Sequence, residues 1–408
     1  MKKIVITVLV IISFSFGVFA LSGKGWLWKA LGSIPTELVE EMDHNFRGNV
    51  IIVGAGAAGL AAANLLEKNG VKYTVIEASD RFGGRVQKND TFADFPIDLG
   101  AEWIHQNDDI LNRLIGIEGD VAPPFELVRY NPEVYQWDGI SKSEISETFR
   151  TISQWSLPEY KFKNTTWYDF LDQYFAQTVA HNIVYNSPVK NINYAANKVV
   201  VTVKNGQTYT ADKVIVAVSI GVLKAGYISF TPALTDQKKA AFESVEFLPG
   251  FKLFMKFSKK FYPDVLGFET EDGEQTFYDV AFKKDTNQNV LGLLSTGSAS
   301  QEYTSLGSNE KIVTAALRDL DIVFDGQASA FYTGDYILKN WGKAQFALGT
   351  WTSDFMADTS NALLIAPLQN KIYFAGEAFD VYGQGSSVQS AIISGYHSAK
   401  ELLESDSK

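Results

Sequence analysis

One stretch of sequence constrains this chain more than any other: an apolar strand pattern that runs into three spaced glycines. Residues 50–53 are Val-Ile-Ile-Val, and Gly54, Gly56 and Gly59 follow before an alanine-rich segment. Gly54 permits a tight turn, Gly56 lets backbone N–H groups approach a phosphate, and Gly59 allows a helix to pack closely on the strand. The pattern predicts a strand, turn and helix that bind a dinucleotide pyrophosphate, with Ala58 in the first helical turn.

A second apolar strand ends in a carboxylate, Glu77, which lies 23 positions after Gly54. Folds of this kind bind a ribose 2′-hydroxyl with an acidic residue at that place, so Glu77 favours an adenine dinucleotide without a 2′-phosphate. Gly83, Gly84 and Arg85 follow closely, and the forked guanidinium of Arg85 suits phosphate oxygens. A glycine-rich turn in an ordinary α/β domain is the alternative interpretation, and the flanking elements argue against it.

The C-terminal part of the chain repeats the pattern of a buried strand, a loop and a helix. The strand is predicted to end at Gly376 and Glu377, and a helix with a serine cap is predicted over 386–399. The start of such a helix stabilises negative charge. Ser387 and Val388 are therefore candidates to stabilise negative charge on a bound cofactor.

Several motifs occur along the chain in the order in which one enzyme family has them. They are the glycine motif 54–59 with Glu77, then 81–85, 98–105, 214–224 and 374–377. Together they resemble the flavin-containing amine oxidases. The Gly-Ala-x-Trp-Ile-His element at 100–105 and the Gly-Val-Leu-Lys element at 221–224 are most similar to FAD-dependent polyamine oxidases.

The resemblance implies an α/β fold in which a Rossmann-like FAD-binding domain alternates along the chain with a second, mixed sheet-plus-helix substrate domain. Both domains are therefore discontinuous in sequence, and a length of 408 residues agrees with two domains. The expected segments are a signal peptide or N-terminal anchor at 1–20, a linker or arm at 21–47, FAD-binding segments at 48–105, 181–224 and 346–408, and substrate segments at 106–180 and 225–345.

Local patterns predict some elements of these segments. Aromatic and charged residues in 106–180 favour helices, whereas 189–194, 198–204 and 209–218 are predicted strands with a hairpin turn at Asn205-Gly206. Residues 251–257 alternate between polar and apolar side chains, so Lys252 and Lys256 are expected on the face opposite Leu253 and Met255.

The resemblance also implies a reaction. FAD would accept a hydride at N5 as the C–N bond of a neutral amine is oxidised to an imine, hydrolysis would convert the imine to an aldehyde, and O2 would reoxidise the flavin and give H2O2. Polyamines are the first substrate expectation. The alternatives are a monoamine oxidase, an L-amino-acid oxidase whose carboxylate clamp is Arg113 or Arg129, and a flavin-binding redox or scaffold protein without turnover. The chain contains no cysteine to form a thioether, so noncovalent FAD is expected.

Three side chains are implied as catalytic by the resemblance. Lys252 matches the lysine that holds a water at flavin N5, His105 lies where a His or Glu is near the amine, and Trp351 matches an aromatic wall beside the flavin. The alternatives are a solvated lysine, a structural histidine and a core tryptophan. The backbone at Val189 is implied to hold the adenine, and Tyr382 is a candidate for the second aromatic wall.

Charge gives further expectations about partners. The net charge of −11 argues against nucleic-acid binding and favours cationic ligands. Glu102, Asp108 and Asp109 are candidates to attract a second ammonium group, with exposed carboxylates as the alternative. No metal site is expected.

The N-terminus has the form of an export signal. Two lysines precede the apolar run 4–20, and Val18-Phe19-Ala20 is an acceptable cleavage site. The run also approaches the length of a membrane span, so an uncleaved anchor is the alternative and would be the only membrane contact. Either form predicts a secreted or periplasmic enzyme.

Overall fold

The computed structural model describes residues 39–119, 121–156, 158–352, 362–380 and 385–405. The predicted signal segment 1–20 and Tyr382 lie outside the described residues. Each helix within those ranges is too short or too polar to span a bilayer.

The described ranges contain strands and helices throughout. The strands are β1 (Asn49–Val53), β2 (Lys72–Ile76), β3 (Lys88–Asn89), β4 (Ile97–Asp98), β5 (Ile104–His105), β6 (Leu127–Arg129), β7 (Val134–Trp137), β8 (Lys142–Glu144), β9 (Glu159–Phe162), β10 (Ile183–Val184), β11 (Val189–Asn193), β12 (Val199–Val203), β13 (Thr208–Ala211), β14 (Lys213–Val216), β15 (Ser229–Thr231), β16 (Gly250–Phe257), β17 (Val265–Phe268), β18 (Gln275–Asp279), β19 (Asn289–Thr296), β20 (Tyr332–Asn340) and β21 (Ile372–Phe374). The α-helices are α1 (Ala57–Lys68), α2 (Ile110–Leu114), α3 (Glu147–Ser156), α4 (Trp167–Leu171), α5 (Gln177–Val179), α6 (Ile220–Lys224), α7 (Asp236–Glu243), α8 (Gly297–Ser305), α9 (Asn309–Val323), α10 (Gln327–Phe331), α11 (Ala362–Ile365) and α12 (Val388–Glu404). A π-helical turn at Asp172–Ala176 joins α4 to α5.

A five-stranded parallel sheet, in the order β10-β2-β1-β14-β21, forms the centre of the cofactor half. Helices α1 and α12 pack on one face, and the antiparallel sheet β13-β12-β11-β15 packs on the other with α6 and α7. Parallel strands that are covered on both faces need apolar residues throughout. The runs at 50–53 and 214–216 supply them, and the predicted Rossmann-like α/β domain is confirmed.

The smaller antiparallel sheet agrees with the predicted hairpin. Strands 189–194 and 198–204 are present as β11 and β12, and the turn at Asn205-Gly206 joins β12 to β13. The single strand predicted over 209–218 is instead two strands. The chain leaves the antiparallel sheet at Asp212 and enters the parallel sheet, where β14 pairs with β1.

A seven-stranded sheet, in the order β20-β16-β19-β18-β17-β7-β8, forms the second half. One face carries Leu253 and Met255 and packs in one apolar core with residues of α8 to α10. The other face carries Phe254 and Tyr278 and turns toward the cofactor half. The alternation predicted for 251–257 is therefore present in β16, with Lys252 buried.

Two segments differ from the expected domain division. The described residues of the segment 106–180 form four strands as well as helices, and the aromatic residues Trp167 and Phe170 pack in the same core as α1. Residues 225–249 pack on the cofactor half, because β15 pairs with β11 and α7 contributes Phe242 to that core. Apart from β7 and β8, the strands of the seven-stranded substrate sheet begin only at Gly250.

Two glycines set how closely α1 approaches its neighbours. A Cβ on Gly59 would lie 1.9 Å from the carbonyl oxygen of Gly54, and a Cβ on Gly395 would lie 2.1 Å from that of Ala58. Neither separation is sterically possible. Helix α1 therefore packs on β1 and against α12 only while glycine occupies both positions.

Candidate active site

A cavity of about 1040 Å³ lies between the carboxyl ends of the parallel strands and the inner face of the seven-stranded sheet. Open α/β sheets bind their ligands at this edge. The cavity is at the upper end of the size range of small-molecule sites, so it has room for both a cofactor and a substrate. With the exception of Gly59, all sequence-predicted cofactor and catalytic residues line it.

The turn after β1 forms a cradle for an anion. Gly54 has a φ of +104°, and Gly56 caps α1. A Cβ built on Gly56 would meet no protein atom within 4 Å, and Gly56 and Ala58 line the cavity. The first N–H groups of a helix have no intrahelical acceptor. They are available here to a phosphate, as the glycine spacing predicts.

Glu77 lies at the far end of the same cradle. Its carboxylate accepts the Ala55 N–H at 2.7 Å and the Ser79 N–H at 2.8 Å, and it is buried. Each carboxylate oxygen can accept more than one hydrogen bond, so Glu77 can still accept one from a ribose hydroxyl. Val189, the predicted adenine contact, lines this part of the cavity with its neighbour Pro188.

Arg85 and Glu377 meet across the cofactor half. Arg85 Nη1 donates to Glu377 Oε1 at 3.0 Å and to the Thr350 carbonyl at 2.6 Å, and Thr352 Oγ1 donates to Glu377 Oε2 at 2.8 Å. The ion pair fixes the arginine loop against the segment that carries Trp351. Both residues are at the predicted cofactor site, and their pairing is not predictable from the sequence.

The last helix begins at the cavity, as predicted. Ser387 Oγ accepts the Ser390 N–H, and Ser390 Oγ accepts the Ser387 N–H, which makes a capping box. Gly376, Ser387 and Val388 line the cavity. Two helix starts and a buried acid thus face one enclosed space, and this arrangement fits the diphosphate and ribose of FAD.

Lys252 belongs to a buried cluster of charges. Its Nζ donates to Glu102 Oε2 at 2.7 Å, the Tyr278 hydroxyl donates to the same oxygen at 2.7 Å, and Lys161 Nζ lies 2.5 Å from Glu102 Oε1. Glu102 is only 5% exposed, so the alternative that it is an exposed, solvated carboxylate is wrong. Burial alone would raise its pKa, but Lys161 and Lys252 outweigh that effect and lower the pKa to about 2.

The substrate side of the cavity contains two further carboxylates. His105 Nδ1 lies 3.0 Å from Glu159 Oε1, and both side chains line the cavity with Glu274. Removal from solvent raises the pKa of Glu274 to about 7; Glu159 adds to the rise, while Thr276 and Lys252 oppose it. Glu159 and Glu274 carry no local motif, and sequence reasoning missed them.

Several sequence candidates lie away from the cavity. Asp108 and Asp109 do not line it, and Asp109 pairs with Arg113. Arg113 and Arg129, the candidates for a carboxylate clamp, do not line it either. Within the described ranges, no group of three or more His, Cys, Asp or Glu side chains is placed to hold a metal ion.

Comparisons with known proteins agree with this arrangement. The sequence profile of the flavin containing amine oxidoreductases matches residues 120–403, and that of an NAD(P)-binding Rossmann-like domain matches 52–115. Polyamine oxidase 4 of Oryza sativa subsp. japonica is 28% identical over 444 residues, which cover 86% of this chain and 88% of that protein. Polyamine oxidase 2 of Arabidopsis thaliana is 26% identical over 437 residues, covering 86% and 87%. The structure of wild-type putrescine oxidase bound to putrescine superimposes with a TM-score of 0.69 at 15% identity, covering 87% of this chain and 99% of the other.

Alanine at Gly56 should weaken FAD binding, whereas alanine at Gly59 should lower the stability of the fold. We expect Gly56→Ala to fold normally, because its φ of −74° suits alanine and its Cβ enters open cavity space, but to bind FAD weakly. We expect Gly59→Ala to lose about 1–3 kcal/mol of stability through overpacking. Thermal unfolding of the apoprotein and fluorimetric FAD titration measure the two effects. Normal FAD affinity in a folded Gly56→Ala protein would contradict the cradle.

The absence of cysteine gives a prediction about cofactor attachment. Acid precipitation of the holoenzyme should release yellow FAD into the supernatant, because no thioether can form. Recovery of flavin in the protein pellet would require a bond to another residue type and would contradict noncovalent binding.

Proposed function

This chain belongs to the flavin containing amine oxidoreductase family, and on that premise we propose that it oxidises diamines or polyamines with O2 as the electron acceptor. Its activity as an FAD-dependent amine oxidase follows from the family. The substrate class rests on the two carboxylates of the cavity wall, Glu159 and Glu274.

When bound, FAD would supply the two-electron oxidant that removes a hydride from the carbon beside the neutral amine nitrogen, and O2 would be the final electron acceptor. The residues of this chain prepare the amine. Trp103, Trp351 and Tyr278 line the cavity with aromatic surface that excludes water and attracts cationic groups. Lys252 is held at the cavity wall by Glu102, where its amine can take up or release a proton. Arg85 and Glu377 fix the loop against which the cofactor would bind.

Glu274 is the observation that carries the substrate proposal. It faces the same space as Lys252 and Glu159, and its pKa is raised because burial outweighs the opposing effects of Thr276 and Lys252. A substrate ammonium group would supply a cationic partner for this carboxylate. A compound with two amines can place one as ammonium against Glu274 and present the other, neutral, for oxidation. The names of the relatives, polyamine and putrescine oxidases, agree with this class.

His105 would contribute on the same side. Its ring contacts Glu159, and its side chain is 43% exposed to the cavity and solvent. Gln389 of the last helix donates to the His105 carbonyl at 2.7 Å, so the helix start and the histidine are fixed relative to each other. We propose that His105 and Glu159 together orient the substrate nitrogen.

An amino-acid substrate is a weaker proposal. It would need an arginine for its carboxylate, and the arginines that line the cavity in the described part of the chain are Arg81, Arg85 and Arg150. Arg81 binds carbonyls of its own loop, Arg85 pairs with Glu377, and Arg150 donates to the Pro132 carbonyl and pairs with Glu144.

We also propose that the enzyme is exported. Two lysines followed by the apolar run 4–20 support a secretory signal or an N-terminal anchor. Mass spectrometry of the mature N-terminus after cell fractionation tests this: cleavage after residue 20 supports a signal peptide, an intact N-terminus in the membrane fraction supports an anchor, and an intact soluble cytoplasmic protein contradicts export.

Substitution of Glu274 tests the substrate class. We expect Glu274→Gln to lower kcat/KM for putrescine or spermidine by roughly ten- to a hundredfold, the effect of losing a hydrogen bond to a charged group, and to leave benzylamine nearly unchanged. A peroxide-coupled assay measures both. The matched control is Glu271→Gln, an exposed residue of the same hairpin that does not line the cavity.

The pH dependence of kcat/KM tests the same interaction between Glu274 and the substrate ammonium group. Glu274 carries its charge only above a pH of about 7, so polyamine kcat/KM should rise through that pH. The polyamine kcat/KM should rise again as the substrate amines, with pKa values of about 10.4, lose their protons. Glu274→Gln should remove the first rise and keep the second. Equal losses for benzylamine and spermidine, or no loss for either, would contradict the role of Glu274.

A further inference from the structure

The cluster of Glu102, Lys161, Lys252 and Tyr278 contains a second lysine that the reaction has not used. Lys161 lies on β9 and Lys252 on β16, and each ammonium contacts a different oxygen of the Glu102 carboxylate. All three charged side chains are at most 5% exposed. Two cations therefore share one anion away from solvent.

The two lysines differ in their access to the cavity. Lys252 lines it, whereas Lys161 does not. Lys161 is enclosed by Trp103, Tyr130 and Tyr278, with its Nζ 5.2–5.5 Å from the three ring centroids. Lys161 therefore does not reach a ligand directly, and its ion-pair partner among the described residues is Glu102.

We propose that Lys161 is a positioning residue that allows Lys252 to exist as a neutral amine. When Lys252 releases its proton to the solvent through the cavity, Glu102 and Lys161 remain as a matched ion pair. Without Lys161, the same deprotonation would leave the Glu102 carboxylate buried without a cation, which is strongly unfavourable. Lys161 thus makes the proton on Lys252 exchangeable.

The other charged neighbours of Lys252 are consistent with this role. Burial lowers the pKa of Lys252, Glu102 opposes the shift, and Lys161 adds to it. Burial and the Glu102 carboxylate raise the pKa of Asp98 well above its ordinary value, so Asp98 is a poor substitute anion. The titratable groups that surround the cluster are Asp98, Tyr130, Glu274, Tyr278, Lys284 and, directly opposite Lys252 on β20, Lys339.

A chemical measurement of the Lys252 proton tests the proposal. Cyanate carbamylates only neutral amines, and peptide mass spectrometry can follow Lys252 in the holoenzyme across a pH series. We expect Lys161→Met to lower the carbamylation rate of Lys252 at neutral pH by about tenfold or more, the effect of losing a nearby charge. The pH at which the anaerobic flavin reduction rate rises should move to the alkaline side in parallel.

Matched measurements separate charge from packing. Lys161→Arg keeps the cation and should retain the wild-type carbamylation profile, and Lys256, a half-buried lysine on the same strand, is an internal reference that should not change. Lys161→Gln replaces Lys161→Met if the latter does not fold. An unchanged Lys252 profile in Lys161→Met or Lys161→Gln, or an equal shift in Lys161→Arg, would overturn the proposal.

The role of Lys252 in amine oxidation rests on the proposed function, but the carbamylation does not. It uses no amine substrate, so an enzyme that fails to oxidise polyamines still reports on Lys161. A normal shift in carbamylation with no polyamine turnover would reject the substrate proposal alone.

Discussion

The carboxylate of Glu102, shared by two buried lysines, is the interaction on which the rest of the site depends. An unpaired ammonium is expensive to bury, and Glu102 beside Lys252 supplies the countercharge that lets Lys252 lie buried at the cavity wall. Glu102 precedes β5, Lys161 lies on β9, and Lys252 and Tyr278 lie on the seven-stranded sheet. The cluster thus fixes the substrate sheet against the segment that runs out of the cofactor half.

The two sides of the cavity contain groups that suit ligands of opposite charge. The cofactor half presents two helix starts and the guanidinium of Arg85, which suit an anionic dinucleotide. The substrate side of the cavity presents Glu159 and Glu274, which suit a cationic amine. The ion pair between Arg85 and Glu377 offsets the positive charge of Arg85 near the cofactor site and joins two segments that are distant in sequence.

Features that depend on neighbouring residues could be predicted from the sequence. The glycine turn, Glu77, the capped helix at Ser387 and the alternation of β16 are all local patterns, and they appear as expected. Features that depend on pairing between distant strands could not. Lys161 appears in sequence as one lysine among several, and only the packing of β9 beside the Glu102 segment makes it a partner of Lys252. Glu159 and Glu274 were missed, and the burial of Glu102 was misjudged, for the same reason.

The most direct test is to mix the FAD-loaded enzyme with spermidine or putrescine in the absence of O2 and to follow the flavin absorbance. The account predicts that the yellow colour of the oxidised flavin bleaches with these substrates and returns with stoichiometric H2O2 when air is admitted. Flavin that stays oxidised with every amine tested would contradict the account and leave a flavin-binding protein without turnover.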